Sequence, residues 1–284
     1  MRQFILPASW DGGPACEILG REAHRLATVL RLGPGDSFPA LGPDGASYHC
    51  TIASAGHGSV VLSVTKAEPT AAGYKPDVRA GAATPKARGF AREAGGSGAP
   101  DAAPVPRLRL AVGFLKGSGL DDVVRVAAEA GVAEVIPLVT ERSIPMEHTA
   151  GRVERLRRVV AEALGQSGSP IPTNVTDAVQ LSDLCARGPV PNAGILRLCF
   201  HEMPLAQASI HRYCTDKLEE IFACVGPEGG FSDAELGALA GAGFQPAWLG
   251  PTVLRAGTAA IFAIASIRIV CLERSSWSMI ESRE

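Results

Sequence analysis

Neither sign of charge is in excess in this chain: 27 Lys and Arg stand against 29 Asp and Glu, a formal net charge of −2 over 284 residues. That balance excludes a general nucleic-acid sponge and leaves any RNA contact to local basic patches. The seven cysteines, at 16, 50, 185, 199, 214, 224 and 271, include no Cys-x-x-Cys pair. Scattered and odd in number, they argue against a structural zinc site or a disulfide framework and fit a reducing cytosol. The longest apolar run, 256–267, is bracketed by Arg255 and Arg268. It falls short of the roughly 20 residues that a spanning helix needs. The first six residues are too short and interrupted for a signal peptide. The expectation is a cytoplasmic protein with no membrane partner. Walker and Rossmann glycine patterns are absent, which sets aside a nucleotide-phosphate binder, and there is no internal repeat.

Two glycine-proline corners are present, and they organise the chain. The first is Val225-Gly226-Pro227-Glu228-Gly229-Gly230-Phe231 and the second is Leu249-Gly250-Pro251-Thr252-Val253-Leu254-Arg255. Each follows a short apolar run that reads as a strand, 221–225 and 247–249, and each precedes a helical pattern. Strand-to-helix corners close together in sequence are where an open α/β sheet builds its ligand site. Glycine lets backbone N–H groups approach a ligand with no Cβ in the way.

Residues 1–68 read as mostly β, with turn signals such as Gly33-Pro34-Gly35-Asp36 and Gly42-Pro43-Asp44-Gly45 between short apolar stretches. One helix is expected over 21–30, with Ala23, Leu26, Ala27 and Leu30 on its apolar face. Short strands and tight turns suggest a small barrel. Arg21, Arg25 and Arg31 are its candidate RNA contacts, although Glu17, Glu22 and Asp36 also fit a solvated face. Residues 69–106 are rich in Ala, Gly and Pro and read as a linker with too little apolar surface to order itself. Residues 107–284 alternate strand and helix, which predicts a parallel sheet covered on both faces. Within them, Ser118 is a candidate cap for a helix over 120–130. Ser232 and Glu235 have the spacing of a capping box. The helix over 153–164 carries Arg152, Arg155, Arg157 and Arg158, which read first as a solvated face and, as the alternative, as a stripe that meets RNA phosphates. The helix over 256–270 is uniformly apolar and is expected to be buried all round.

These residues together resemble the RsmE family, bacterial 16S rRNA uridine-N3 methyltransferases of the SPOUT class. The resemblance rests on the Gly-Pro-Glu-Gly-Gly corner paired with Leu249-Gly250-Pro251 and Leu254-Arg255. It is supported by Val29-Leu30-Arg31-Leu32-Gly33-Pro34-Gly35-Asp36, by Glu129-Ala130-Gly131-Val132, by Ile136-Pro137-Leu138, by Thr140-Glu141-Arg142-Ser143, and by Ala161-Glu162-Ala163 with Gln166-Ser167. It implies a PUA-like β-barrel followed by an α/β SPOUT domain with a deep trefoil knot, an exception to the rule against threaded chains. It implies S-adenosyl-L-methionine as methyl donor, a homodimer, and 16S rRNA of the small ribosomal subunit as partner. Gly226, Gly229, Gly230, Leu249, Gly250, Leu254, Thr258 and Ala259 would line the donor pocket, with no metal.

Uracil N3 carries a proton and attacks poorly until that proton leaves, so the site needs a base or a cation that stabilises the anion. Arg255 is the first candidate for that cation. Glu228 either braces its loop through backbone N–H groups or assists proton removal, with bracing favoured. Lys116, at a strand end, is a candidate grip on RNA. The chain departs from the family where Gly257 replaces an acid, Ser169 an arginine, and Gly119 and Val126 basic residues. The competing expectation is a catalytically weakened RNA-binding or ribosome-assembly protein of the same fold, which would fail to bind the methyl donor.

Overall fold

The computed structural model describes residues 3–56, 58–67, 105–143, 149–186, 194–215 and 217–276. The linker expected over 69–106 lies, apart from 105 and 106, outside the described residues.

The first part of the chain is a curled five-stranded sheet of β1 (Phe4–Ile5), β2 (Ala15–Leu19), β3 (Ser37–Leu41), β4 (Ser47–Ala55) and β5 (Ser59–Lys66), in the order β1-β3-β4-β5-β2. Alternation drives it: Tyr48, Cys50 and Ile52 of β4 and Val60, Leu62 and Val64 of β5 point into one core with Cys16 and Ile18 of β2. A register shift between Ile52 and Ser54 adds curl at the long β4–β5 ladder. The helix expected over 21–30 is a five-residue α1 (Gly20–His24) that runs into a π-helical turn, Arg25–Val29. There the Leu30 N–H reaches back to the Arg25 carbonyl at 2.9 Å. Leu26 and Ala23 are buried, whereas Ala27 and Leu30 only pack against the core from its rim. Arg31 follows at φ 56, the one non-glycine residue with positive φ among the described residues.

The second part is a seven-stranded sheet in which every pairing is parallel. Its elements run β6 (Arg107–Gly113), α2 (Gly119–Glu129), β7 (Glu134–Val139), α3 (Ala150–Ser167), β8 (Asn174–Val175), β9 (Val179–Gln180), α4 (Leu181–Ala186), β10 (Ile195–Phe200), α5 (Ile210–Tyr213), β11 (Glu220–Val225), α6 (Asp233–Gly241), β12 (Gln245–Ala247) and α7 (Ala256–Ser276). The strand order is β12-β10-β11-β6-β7-β8, with β9 also on β7. One face packs on α2, α3 and α7 through residues such as Val123, Leu156, Ala263 and Ile264. The other packs on α4 and α6 through Leu181, Leu239 and Phe244. Both faces are therefore apolar, as near-continuous strands such as Leu108, Leu110, Ala111 and Val112 require.

Two expectations are corrected here. Helix α7 is not buried all round. Ala260, Ala263, Ile264, Ile267 and Val270 face the core, while Phe262 is 49% exposed, Ile269 54% and Leu272 40%. A single sheet covers only one side of a helix laid upon it. By length and composition alone, Ala256–Arg274 is long and apolar enough to cross a membrane. Its inner side is instead part of the sheet's core. The second correction concerns the arginine face of α3, read first as simply solvated. Arg152 donates to the Leu115 and Gly117 carbonyls, Arg155 pairs with Asp121 at 2.5 Å, and Arg157 pairs with Glu154 and with Asp177. Three of the four cations thus hold the domain together.

The two parts are in contact. Gln3, buried, donates from Nε2 to the carbonyls of Leu164 and Ser169 at 3.0 and 2.9 Å, at the end of α3. Leu41 of β3 belongs to the core of the parallel sheet.

Candidate active site

All strands of the second sheet run the same way, so the ends of β6, β10, β11 and β12 emerge on one edge. Both glycine-proline corners sit there and face each other across a cavity of about 730 Å³. That is within the roughly 300–1,000 Å³ of small-molecule sites.

The β11 corner is a tight turn closed by the Gly230 N–H on the Pro227 carbonyl at 2.9 Å, with Gly230 at φ 66. A Cβ on Gly113, at the end of β6, would stand 2.5 Å from the Pro227 nitrogen. Only glycine lets the neighbouring strand pass so close. Ser232 and Glu235 then form the capping box expected from their spacing, which starts α6 directly after the corner. The second corner turns at Gly250, φ 120, and delivers Leu254 and Arg255 to the start of α7. Ser118, by contrast, precedes α2 without a side-chain cap.

The first corner is braced from two sides. The Glu228 carboxylate accepts the Lys116 backbone N–H at 2.7 Å, which joins the ends of β11 and β6. Arg142, beyond β7, donates to the Gly229 carbonyl at 2.8 Å and lays its side chain against Gly229. Arg152 in turn donates to the Leu115 carbonyl at 2.5 Å, steadying the stretch that carries Lys116. The Arg255 and Lys116 side-chain cations both border the cavity and make no hydrogen bond or ion pair among the described residues. No cysteine lines the cavity. Burial pushes the Cys199 thiol up to about 12 and that of Cys224 well above its ordinary range, so both strand thiols stay protonated and inert.

The cavity wall brings together Gly226, Gly229, Gly230, Leu249, Gly250, Leu254, Thr258 and Ala259 with Glu228, Arg255 and Lys116. Arg21, Arg25 and Arg31 do not line it and lie on the first sheet's helical turn, where Arg25 pairs with Glu22 at 3.3 Å. Sequence reasoning did not assign Arg142, Phe200, Trp248, Asp122 or Leu115 to the cavity and left His201 off the catalytic residues. Arg142 stood inside the Thr-Glu-Arg-Ser stretch already singled out, and Trp248 stood beside the second corner. Gly119 and Gly257 also border the cavity. A Cβ on Gly257 would be 3.7 Å from the Gly119 carbonyl, so two of the departures noted above are neighbours in space.

A parallel α/β sheet with a glycine-lined cavity at one edge and unpaired cations at its mouth has the form of a small-molecule site open to an anionic partner. A model of the RNA methyltransferase domain matches residues 102–268, and the chain belongs to that family. Within it, the chain is 27% identical over 246 residues to the Ribosomal RNA small subunit methyltransferase E of Synechocystis sp., covering 87% of this chain and 70% of that protein. It is 33% identical over 147 residues to the protein of the same name from Aquifex aeolicus, covering 51% of this chain and 61% of the relative. The crystal structure of a Ribosomal RNA small subunit methyltransferase E from Neisseria gonorrhoeae bound to S-adenosyl methionine has the same fold. It superposes with a TM-score of 0.72 at 20% identity over 95% of this chain and 98% of that one.

Proposed function

We propose that this protein transfers a methyl group from S-adenosylmethionine to N3 of a uridine in 16S rRNA of the small ribosomal subunit. One observation carries the reading: two glycine corners face each other over a cavity of donor size, with the unpaired Arg255 guanidinium at its rim. The residues fit the donor. Gly226 is tightly packed, since a Cβ there would stand 3.3 Å from Gly230 and the Phe231 ring. Backbone groups of Gly226, Gly229, Gly230, Leu249, Gly250 and Leu254, with Thr258 and Ala259 at the start of α7, would hold the nucleoside. The donor supplies an electrophilic methyl on a sulfonium.

The protein's part is positioning and charge. Arg255 stabilises the uracil anion through its exocyclic carbonyl oxygens as the N3 proton passes to solvent water, and N3 then takes the methyl group. Glu228 keeps the corner in place through Lys116 N–H and is a positioning residue. The Lys116 ammonium, at the cavity edge, grips the RNA. The target base must leave its stack for N3 to be reached.

Residues 1–68 are read as a PUA-like RNA-binding barrel, 69–106 as the linker and 107–284 as the SPOUT domain. Arg21, Arg25 and Arg31 are the barrel's RNA contacts. A deep trefoil knot is favoured by the path after β11. The chain goes to the far edge at β12, returns beside the β11 corner, and continues into α7 against α2. The exposed stripe of Phe262, Ile269 and Leu272 supports a homodimer through α7. Action on ribosomal RNA is consistent with a cytoplasmic location.

The test has two arms. Calorimetry should show binding of S-adenosylhomocysteine. Small subunits from cells lacking the protein should gain N3-methyluridine, read by mass spectrometry, when incubated with the protein and the donor. Absence of binding would return the assembly-factor alternative, and binding without methylation of the subunits would reject the uridine-N3 reaction.

A further inference from the structure

Glu235 is in the first turn of α6 and does not line the donor cavity. Its two carboxylate oxygens have separate duties. Oε2 accepts the Ser232 N–H at 2.9 Å, which completes the capping box. Oε1 accepts the Glu141 N–H at 2.8 Å, 94 residues away in the loop after β7. A capping box needs only the first of these bonds. The second ties the β7 loop to the helix that follows the first glycine corner.

The residue next to Glu141 returns the tie. Arg142 donates from Nη1 to the Gly229 carbonyl at 2.8 Å, with a longer contact of 3.5 Å to the Phe231 carbonyl. Its Cβ stands 3.0 Å from the place a Cβ on Gly229 would take. That approach is set by the loop backbone, not by the flexible end of the side chain. Whatever holds the Glu141 N–H therefore also holds Arg142 over the corner. Loop and corner are clasped reciprocally, each giving a side chain to the other's backbone. We infer that Glu235 is a positioning residue for methyl transfer. It fixes the β7 loop so that Arg142 holds the Gly229 carbonyl, and it acts on the donor only through that arginine. This rests on the methyl-donor reading of the cavity. The plain alternative is a cap that serves α6 alone.

Ser232→Ala separates the two duties. It removes the hydroxyl that accepts the Glu235 N–H at 3.3 Å and leaves the Glu141 bond in place. Glu235→Ala removes both carboxylate bonds. Glu235→Gln keeps one acceptor oxygen for two N–H groups and is the milder variant should Glu235→Ala fail to fold. Each is checked by circular dichroism and titrated calorimetrically with S-adenosylhomocysteine, alone and combined with Arg142→Ala. Water reaches these bonds in part, so the expected loss of affinity is about fivefold for Glu235→Ala and about threefold for Glu235→Gln. In the Arg142→Ala background the same substitutions should cost less than about twofold, because the arginine they position is gone. Ser232→Ala should lower the melting temperature and leave affinity within about twofold of the parent. Three results would overturn the assignment: unchanged affinity in the Glu235 variants, their full loss in the Arg142→Ala background, or an equal loss in Ser232→Ala. Failure of the unaltered protein to bind S-adenosylhomocysteine would instead reject the methyl-donor reading itself.

Discussion

The carboxylate of Glu228 and the backbone N–H of Lys116 are joined by a 2.7 Å hydrogen bond across 112 residues of chain. Through it the glycine corner after β11 is held against the end of β6. Both residues are exposed, so water competes and the bond contributes about 1 kcal/mol, a modest brace on a glycine-rich turn. Glu228→Ala is expected to weaken S-adenosylhomocysteine binding by about fivefold. Glu228→Gln, which keeps an acceptor oxygen, should stay within about threefold. If Glu228→Gln abolished methylation while binding was kept, Glu228 would be the proton acceptor and the positioning role would be wrong.

Arg255 borders the cavity with its guanidinium uncommitted. Its removal should be felt in the chemical step. Arg255→Ala is expected to lower kcat by about 100-fold or more, the scale of a lost transition-state donor. Donor affinity should change by less than about threefold. Single-turnover methylation beside calorimetry separates the two, and a fall in donor affinity alone would contradict the role.

The stripe on α7 predicts an oligomer. Phe262→Asp combined with Ile269→Asp places two charges on the exposed side and leaves the core side of the helix untouched. Sedimentation should show a dimer for the parent and a monomer for the double variant, with the melting transition of each subunit's sheet retained. A monomeric parent at micromolar concentration would rule out the homodimer.

Cys199 predicts a direction for alkaline pH. Its thiol is raised from 9.0 to about 12, because burial disfavours the thiolate and Cys185 adds to the effect. The folded state thus holds a proton that the unfolded chain releases above pH 9. The contribution is fully present below pH 9 and is lost as pH rises toward 12. The loss is up to about 1.4 kcal/mol per pH unit. Urea midpoints at pH 8 and pH 10 should fall more for the parent than for Cys199→Ala. Equal falls would remove Cys199 as a contributor.

The amino-acid sequence by itself determined the parts that depend on neighbours along the chain. Glycine and proline set the two corners, Ser232 and Glu235 set the start of α6, and continuous apolar strands called for a sheet covered twice. Those signals are local, so they are readable one stretch at a time. The strand order β12-β10-β11-β6-β7 was decided only by the tertiary structure, because it depends on which apolar faces bury together across long separations. From that order come the Glu228–Lys116 brace, the capture of Arg152, Arg155 and Arg157 by carbonyls and acids, and the place of Arg142 over Gly229. The same holds for α7, whose uniform composition says nothing of which side the sheet covers. It holds too for His201, whose position in the cavity depends on strands folded from distant parts of the chain.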